Sequence, residues 1–521
     1  MLSRDEMLNR LRTDPASWDL IVIGGGATGL GIAIDAASRG YKTALVERYD
    51  FGKGTSSRST KLAHGGVRYL QQGNISLVLE ALRERGILRQ NAPHLVHDLS
   101  FVVPRYDWWE GGFYGFGLKV YDIMAGRQGF GHSSLLSLDK TIERIPTIET
   151  DGLRGGLMYY DGQFDDARLI VNMVQTAAEQ GAVLVNYLEA KSLIKSEDVV
   201  SGIVTEDAES GEQIELRGKV VVNATGPFTD SVRRMDDPDA RPMIDPSQGV
   251  HIVLDRSFLP GDSAIMVPHT DDGRVLFAIP WHDSVVIGTT DTPVKEILVE
   301  PRPFREEIDF LLSHAARYMT KDPTKSDVLS VFVGIRPLVG SSDAESTAAV
   351  SRDHTVHISN TGLVTIAGGK WTTYRKMAED TVSQAALLGQ LEIRQCVTAD
   401  LPIHGFHRNP ERFGNLSVYG SDAPALQSLL NTNPEYGERI HPDSPHLVGE
   451  IVWAVRIEMA RTVEDFLSRR TRALLLGAKT SIEMAPKVAQ VMAAELGKDE
   501  SWQHQQVTAY TTLAKGYSLG R

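Results

Sequence analysis

Three glycines near the N-terminus have the spacing of a loop that can bind a pyrophosphate. Gly24, Gly26 and Gly29 form the pattern G-x-G-x-x-G directly after the apolar run DLIVI. Such glycines let the backbone approach a phosphate, and the following helix presents unpaired N–H groups to its charge. Glu47 ends the next predicted strand, where a carboxylate can accept hydrogen bonds from a ribose 2′-hydroxyl and would repel a 2′-phosphate. The pattern predicts a dinucleotide site; the alternative is a structural turn in another α/β protein.

Three later stretches favour FAD over NAD, the other dinucleotide that uses this fingerprint. Residues 54–66 (GTSSRSTKLAHGG) are rich in hydroxyl groups and glycine, which suits a pyrophosphate and a flavin edge. Residues 220–230 (VVVNATGPFTD) and 363–380 (LVTIAGGKWTTYRKMAED) each place a small-residue turn after a predicted strand. A helix beginning after Gly369 would direct its N-terminus at the flavin N1–C2 carbonyl edge, where the helix dipole stabilises negative charge. Each stretch alone fits an ordinary βα turn, but together they predict non-covalently bound FAD.

The predicted cofactor site draws residues from all of these stretches. Its glycines would allow close approach, and its hydroxyl groups would contact phosphate or flavin. The predicted cofactor-binding residues are Gly24, Gly26, Thr28, Gly29, Glu47, Thr55, Ser56, Ser57, Ser59, Lys61, Leu62, His64, Gly65, Ala190, Gly226, Gly368, Gly369, Lys370, Trp371 and Thr372.

The composition limits the classes of protein that remain. A chain of 521 residues is too long for one hydrophobic core and predicts two or three domains. A net charge of -13 argues against general affinity for nucleic acid. The single cysteine, Cys396, excludes an intrachain disulfide and a dithiol redox pair, and no metal site is expected. The charged N-terminus is unlike a signal peptide and no apolar stretch is long enough to span a membrane, so any membrane contact is expected to be peripheral.

Apolar periodicity places these motifs on strands and helices. Residues 19–47 predict a strand, a turn, a helix and a second strand, the start of a parallel sheet. Residues 75–91 and 168–180 predict helices, and about 195–295 predict a β-rich region. Over residues 447–467 an apolar residue recurs at every fourth position, which predicts one long helix.

The predicted fold is α/β, with a Rossmann-like FAD-binding domain, an inserted β-rich substrate domain and an α-helical C-terminal domain. The oxidoreductase part is expected over residues 1–395 and the helical domain over 396–521. Within the first part, FAD-binding segments are expected at about 19–105, 150–230 and 330–390, with substrate-domain segments between them.

With these motifs assembled, the chain resembles the FAD-dependent glycerol-3-phosphate dehydrogenases, respiratory enzymes of the D-amino-acid-oxidase-like superfamily. The resemblance covers residues 19 to about 380, and ARTVEDFLSRRTRALLL resembles the helical domain that such enzymes append. The polar extension before Trp18 and the connector at 105–135 depart from the pattern. The stretches that carry the resemblance are DLIVIGGGATG, TSSRSTKLAHGGVRYL, APHLV, DDARL, VVNATGP, IPWHDSVVIGTTD, GIRPLV, SRDHTV and GGKWTTYRKMAE.

The resemblance implies oxidation of sn-glycerol 3-phosphate to dihydroxyacetone phosphate, with hydride transfer from C2 to N5 of FAD. A phosphate dianion needs cations, and arginine offers a planar fork with two donors. His251 is expected to accept the C2 hydroxyl proton and Arg336 to polarise the oxygen of the developing ketone; for His251 a satisfied core histidine is the alternative. Asp291 is expected to orient a cation or to be a plain turn residue. The implied substrate-binding residues are Arg68, Tyr69, Arg336, Arg352 and Lys370.

The resemblance also implies that electrons pass to a membrane quinone, in glycerol catabolism and respiration. The aromatic segment 106–126 is expected to enter a bilayer interface or to lie buried under the helical domain. The RRTR run at 469–472 is expected to meet lipid headgroups or to be a solvated helix face. A cytoplasmic protein is therefore expected, peripherally bound to the inner face of the cytoplasmic membrane, and a homodimer is compatible with it. A glycerol-3-phosphate oxidase using oxygen and an amine or hydroxyacid oxidase are the alternatives.

Overall fold

In the described part of the chain the strands form two sheets, and helices cover them. The structure is a computed structural model that describes residues 3–14, 17–65, 75–106, 130–268, 270, 274–340 and 354–519. The strands are β1 (Trp18–Ile23), β2 (Thr43–Val46), β3 (Leu62–Ala63), β4 (Val96–Arg105), β5 (Ser134–Leu136), β6 (Gly155–Phe164), β7 (Val183–Val185), β8 (Leu188–Ser196), β9 (Val199–Asp207), β10 (Gln213–Asn223), β11 (Ile244–Asp255), β12 (Ser263–Val267), β13 (Leu276–Trp281), β14 (Ser284–Gly288), β15 (Thr292–Pro293), β16 (Val328–Val339), β17 (His354–Ile358) and β18 (Val364–Gly368). The helices are α1 (Arg4–Thr13), α2 (Ala27–Ser38), α3 (Ile75–Asn91), α4 (Leu138–Arg144), α5 (Asp166–Glu179), α6 (Thr229–Asp236), α7 (Arg305–Ala316), α8 (Tyr374–Leu388), α9 (Ala423–Leu430), α10 (Val448–Ile457), α11 (Ala473–Leu476), α12 (Ala478–Leu496) and α13 (Glu500–Lys515).

The first sheet contains the dinucleotide-binding unit predicted from the sequence. Its strand order is β17-β18-β10-β1-β2-β7, and the five strands from β18 to β7 run parallel. Leu20, Ile21 and Val22 of β1 are fully buried, because strands of a parallel sheet are covered on both faces. Side chains of α2, α5 and α8 join these strands in one core. The α/β fold with a Rossmann-like domain is confirmed.

The second sheet takes strands from several parts of the chain, and it contains only part of the region at about 195–295 that was predicted to be β-rich, because β8, β9 and β10 belong to the first sheet. Among the described residues it has ten strands in the order β15-β11-β14-β13-β12-β4-β6-β3, with β16 beside β11 and β5 beside β6. The long antiparallel pairing of β11 with β16 places Ser247 opposite Arg336 and His251 opposite Phe332. Because side chains alternate along a strand, this register brings the predicted catalytic residues to one face of the sheet.

Helices α9 to α13 form the C-terminal helical region. Phe466 and Val488 pack with Trp281 and Phe332 of the second sheet in one buried cluster. The expected domain boundary at residue 396 stays a prediction. In the part of the chain that the structure describes, no helix has both the length and the apolar character needed to cross a bilayer.

The single long helix predicted over residues 447–467 is wrong. Helix α10 ends, Met459 takes a left-handed backbone conformation (φ 54°), and a π-helical turn covers Asp465–Arg470. Thr462 caps the new element, because its hydroxyl accepts the N–H of Asp465 at 3.2 Å while the Asp465 carboxylate accepts the N–H of Thr462 at 3.0 Å. The apolar spacing correctly predicts that the apolar side chains of residues 447–467 are buried or half-buried. It does not predict the break between α10 and the π-helical turn.

Both interpretations of the RRTR run at 469–472 are also wrong. Arg469, Arg470 and Arg472 are 3%, 2% and 2% exposed, so they face neither lipid nor solvent. Their guanidinium groups pair with buried carboxylates such as that of Asp50. Burial of these charges is possible because each has an opposite charge to bind.

His404 connects helix α5 to the beginning of α9. Its Nδ1 lies 2.5 Å from the Glu179 carboxylate and its Nε2 lies 2.8 Å from that of Asp422. Burial alone would lower the pKa of His404, but the hydrogen bonds to Asp422 and Glu179 raise it to about 9. The imidazole therefore carries a positive charge at neutral pH.

We expect His404→Gln to lower the free energy of unfolding at neutral pH by roughly 1–2 kcal/mol, because two charge-assisted hydrogen bonds are lost. The pKa of about 9 in the folded state exceeds the ordinary value of 6.5. The stabilisation is thus complete below that ordinary value and disappears as the pH rises through the folded-state pKa. Urea unfolding at several pH values measures the difference in free energy of unfolding between the variant and the parent. The control is His504→Gln, because His504 is exposed. A difference from the parent that persists well above the folded-state pKa would contradict the charged imidazole.

Candidate active site

The glycine turn between β1 and α2 forms one wall of a deep cavity. Gly24 has a φ of +109°, and a Cβ there would lie 2.6 Å from the carbonyl oxygen of Ala224 on the neighbouring strand. Gly26, the N-cap of α2, has no side chain that could occupy the space before the helix. The positive end of the helix dipole therefore faces the cavity.

Gly29 lies behind this turn and sets its depth. A Cβ on Gly29 would lie 1.9 Å from the carbonyl oxygen of Gly24. Only glycine lets the first turn of α2 come this close to the end of β1. Gly29 thus shapes the turn without lining the cavity.

Glu47 holds the far side of the turn. Its carboxylate accepts the N–H of Gly25 at 2.6 Å and the N–H of Tyr49 at 2.8 Å. Burial raises the pKa of Glu47 despite these two hydrogen bonds. A carboxylate oxygen can accept more than one hydrogen bond, so Glu47 keeps capacity for a ribose hydroxyl.

The cavity encloses about 1430 Å³ of empty space, including the part open to solvent. It runs from the glycine turn to the beginning of α8. Its walls include residues from all three stretches that favour FAD in the sequence, at 54–66, 220–230 and 363–380. The predicted cofactor-binding residues that line it are Gly24, Gly26, Thr28, Glu47, Thr55, Ser56, Ala190, Gly226, Gly368, Gly369, Lys370 and Trp371. The predicted residues that do not line it are Gly29, Ser57, Ser59, Lys61, Leu62, His64, Gly65 and Thr372.

The wall beside α8 follows the predicted order of strand, glycine pair and helix. Strand β18 ends at Gly368, and a short 3-10 turn at Trp371–Thr373 leads into α8. The Trp371 indole N–H donates to the backbone oxygen of Ser56 at 2.8 Å. This contact ties the hydroxyl-rich loop to the α8 wall, and both elements line the cavity.

Lys61 has a different place from the one predicted. Its ammonium is completely buried, 2.8 Å from both carboxylate oxygens of Asp166 and 2.8 Å from the backbone oxygen of Ser57. Asp166 also accepts the Ser59 hydroxyl at 2.7 Å. The ammonium of Lys61 therefore faces Asp166, not the cofactor cavity, and the pair fixes the course of the loop.

His251 lies on β11 in a buried position beside this loop. Its ring stacks on Phe332 with centroids 4.7 Å apart, and its Nε2 lies 2.9 Å from the Thr60 hydroxyl. Burial, followed by the charges of Arg336 and Lys61, holds the pKa of His251 well below its ordinary value. The imidazole is therefore neutral at physiological pH.

Arg336 lies on β16, and its guanidinium is only partly buried. It donates to Asp291 at 3.2 Å, to the Thr289 hydroxyl at 3.1 Å and to the backbone oxygen of Thr290 at 3.0 Å. Asp291 thus contacts a cation and is not a plain turn residue. Gly334 lies on the same face of β16 as Arg336, and a Cβ there would lie 2.8 Å from the backbone oxygen of Arg58. The loop that contains Arg58 also contributes Thr55 to the cavity wall, so the Arg336 cluster adjoins the cavity through this loop.

Sequence reasoning missed the threonine that contacts His251. Thr60 belongs to the hydroxyl-rich run 54–66, for which the sequence predicts contacts with the cofactor only. Its neighbour Thr55 donates to the backbone oxygen of Ile335 at 2.5 Å, so the loop crosses from the first sheet to β16. The run contains more hydroxyl side chains than a phosphate-binding loop needs. This excess is the signal in the sequence that some of them contact other groups.

Some predicted residues lie outside the part of the chain that the structure describes. They are Arg68, Tyr69 and Arg352, together with most of the aromatic segment 106–126. Their roles stay predictions.

Comparison with known proteins places this cavity in a family. The family model of the FAD dependent oxidoreductases matches residues 19–375, and that of the C-terminal domain of alpha-glycerophosphate oxidase matches residues 359–503. The chain belongs to the FAD-dependent oxidoreductase family, and FAD is its cofactor.

Within that family, the relatives that match almost the whole chain are glycerol-3-phosphate dehydrogenases. The chain is 41% identical to the mitochondrial enzyme of Mus musculus, over 99% of this chain and 76% of that one, and 41% identical to that of Homo sapiens, over 97% and 74%. The crystal structure of the enzyme from Bacillus halodurans, complexed with FAD, is 31% identical with a TM-score of 0.81 and covers 99% of this chain and 97% of its own. The L-alpha-glycerophosphate oxidase of Mycoplasma pneumoniae, 14% identical with a TM-score of 0.57 over 74% of this chain and 99% of its own, shares the fold.

The residues of the cavity fit FAD. A Cβ at Gly24 or Gly29 would lie 2.6 Å or 1.9 Å from a backbone oxygen, so the tight turn that brings α2 to the cavity needs glycine at both positions. The positive end of the α2 dipole matches the charge of a pyrophosphate, although the Ser56 hydroxyl already accepts the N–H of Ala27 at 3.0 Å, and the Glu47 carboxylate matches a ribose hydroxyl.

We expect Gly29→Ala to purify with little flavin, because the new methyl group would overlap the Gly24 carbonyl and push α2 away from β1. The displacement should also destabilise the fold by roughly 1–3 kcal/mol. The flavin-to-protein absorbance ratio and the thermal unfolding midpoint measure the two effects. Gly437→Ala is the control, since a Cβ there meets nothing within 4 Å. Full flavin content in Gly29→Ala would contradict the close approach.

Proposed function

We propose that the protein oxidises sn-glycerol 3-phosphate to dihydroxyacetone phosphate and passes the electrons to a quinone. The observation that carries this proposal is the position of Arg336. Asp291 and Thr289 orient its guanidinium on the face of β16 that the hydroxyl-rich loop covers, and Thr55 of that loop lines the cofactor cavity. A partly exposed guanidinium at this place suits an anionic substrate that must lie against the cofactor.

The phosphate of the substrate needs more than one cation. Lys370 lines the cofactor cavity from the α8 side, and Arg336 of β16 lies next to the loop that forms part of its wall. We assign both to the substrate, and we keep Arg68 and Arg352 as further phosphate ligands on the strength of the sequence resemblance. Cations placed on separate elements fix the orientation of the substrate as well as its charge.

We assign His251 as the group that accepts the proton of the C2 hydroxyl. Its low pKa leaves the imidazole neutral, so a ring nitrogen has a lone pair for the proton. The Thr60 contact and the stacking on Phe332 hold the ring in one orientation. A bound phosphate dianion would offset the positive charge of Arg336 and thereby raise the proton affinity of His251 when substrate is present.

When bound, FAD supplies the hydride acceptor and can transfer the electrons onward. The chain's own part is to hold the carbinol carbon towards the cofactor and to stabilise charge on the substrate oxygen. Arg336 can donate to that oxygen, because its partner Asp291 orients the guanidinium and leaves part of it exposed.

The quinone as acceptor is supported by the family relationship. The mitochondrial relatives from Mus musculus and Homo sapiens, which match almost the whole chain, are named dehydrogenases, whereas the oxidase of Mycoplasma pneumoniae is 14% identical and shares only the fold. A membrane quinone requires peripheral contact with the bilayer. The buried RRTR run does not supply that contact, and segment 106–126 stays the predicted one.

Anaerobic titration of the purified holoenzyme with sn-glycerol 3-phosphate tests the proposal. We expect the flavin absorbance to bleach with substrate and to return when a soluble quinone analogue is added. Lactate and D-alanine at equal concentration are the controls. Bleaching by an amino acid or hydroxyacid alone would contradict the proposed substrate, and rapid recovery with oxygen but not with quinone would identify an oxidase.

We expect Arg336→Met to lower kcat/KM for sn-glycerol 3-phosphate by about 10²–10³-fold, because the substrate loses a charged donor at the reacting end. FAD should stay bound, since Arg336 does not line the cavity. Steady-state kinetics with a quinone analogue measures the loss. The matched control is Arg305→Met, whose parent side chain is 83% exposed. Full activity in Arg336→Met would refute the assigned role.

A further inference from the structure

Residues 48–58, which we call the cofactor loop, have two faces. One face lines the cofactor cavity through residues that include Arg48, Tyr49, Lys53 and Thr55. The other face meets the C-terminal helical region, which has no residue among those that line the cavity. The contacts on this second face therefore hold the loop in place through C-terminal residues that do not line the cavity.

Asp50 makes the central contact. Its side chain is fully buried, and its carboxylate accepts Arg469 Nε at 2.5 Å and Arg470 at two nitrogens, one of them at 3.1 Å. The Asn186 amide donates to the same carboxylate at 3.3 Å. Burial would raise the pKa of Asp50, but the charges of Arg470 and Arg469 hold it at about 2. The carboxylate is thus ionised throughout the functional pH range.

Lys53 makes a second contact from the same loop. Its ammonium lies 2.7 Å from both carboxylate oxygens of Glu464. Glu464 in turn accepts Arg469 at 3.0 Å, so the two contacts form one chain of alternating charges. This charge network keeps the loop and the C-terminal segment at a fixed distance, because separating them would leave buried charges unpaired.

The end of the loop has a third connection to the C-terminal region. Arg58 donates to the Glu300 carboxylate at 2.7 Å, and Glu300 accepts the hydroxyl of Tyr517, near the end of the chain, at 2.8 Å. The loop is therefore held at its beginning, middle and end by groups that belong to, or contact, the helical region.

The partner segment is itself held in place by hydrogen bonds. Arg469 lies in the π-helical turn Asp465–Arg470 and donates to Asp465 at 2.9 Å. Asp465 also accepts the Tyr187 hydroxyl at 2.6 Å, which anchors the turn to the first sheet. The turn can therefore act as a fixed template for the loop.

We propose that the C-terminal segment 464–470 is a positioning element of the FAD site, which holds the cofactor loop in its binding conformation through Asp50 and Glu464. Asp50, Glu464, Arg469 and Arg470 are positioning residues that touch no cofactor. The coupling is reciprocal, so bound FAD strengthens the attachment of the helical region by the same factor.

Release of FAD from the diluted holoenzyme, followed by flavin fluorescence, tests this proposal. We expect Asp50→Asn and Glu464→Gln to raise the dissociation constant for FAD, on the order of tenfold for Glu464→Gln. Glu464 is 18% exposed, so its variant should fold even if Asp50→Asn does not. Circular dichroism at the assay temperature confirms that each variant is folded.

Glu209→Gln is the matched control. Glu209 binds Arg461 of the same C-terminal region at 2.6 Å through both oxygens, but it lies on the turn between β9 and β10. We expect this variant to lose stability and to keep the parent dissociation constant for FAD. Equal shifts in Glu209→Gln and Glu464→Gln would indicate general loosening and would overturn the proposal.

Arg469 provides the rescue experiment. We expect Arg469→Met to weaken FAD binding and Arg469→Lys, which keeps the charge, to restore most of it. FAD affinity within twofold of the parent in both Asp50→Asn and Arg469→Met would overturn the proposal, as would equal weakening by Arg469→Met and Arg469→Lys.

Discussion

The close approach of two backbone segments, at Gly24 and Gly29, is the constraint on which the functional site depends. A Cβ on Gly29 would lie 1.9 Å from the Gly24 oxygen, so the end of β1 and the first turn of α2 are as near as two backbones can be. This contact brings the N-terminus of α2 to the edge of the parallel sheet, where the cavity opens. A methyl group on Gly29 would push α2 away from β1, so the helix dipole would no longer point at the cavity. The pyrophosphate would then lose its main binding group, although the other cavity residues are unchanged.

Buried ion pairs then join the parts of the protein around this cavity. Lys61 with Asp166, Arg168 with Glu458, and Asp50 with two arginines all lie between elements that are far apart in the chain. Such pairs add little net stability relative to apolar packing, but removal of one partner costs about 3–5 kcal/mol because a charge is left uncompensated. Their effect is to exclude other arrangements of the two sheets and the helical region.

The proposed substrate side of the site lies where the first sheet meets the second. The hydroxyl-rich loop passes over β16, and a Cβ on Gly334 would lie 2.8 Å from the Arg58 backbone oxygen. Thr60 thereby reaches His251, and the β11–β16 register places Arg336 on the same face. The predicted base and the predicted cation are brought together by strand pairing, although they lie 85 positions apart in the sequence.

The sequence by itself determined the local elements and the family. The glycine turn, the helix at Ile75–Asn91 and the strand–glycine–helix order before α8 all follow from spacing and residue type, because those signals act over a few neighbouring residues. The tertiary structure alone decided the partners of charged side chains. Lys61 and the RRTR run resembled ligand-binding or surface cations, yet each lies buried against a carboxylate from a distant segment. Asp50 and Arg470 are 420 positions apart, and no local pattern reports a contact of that range, because apolar periodicity shows that a residue is buried but not what it is buried against.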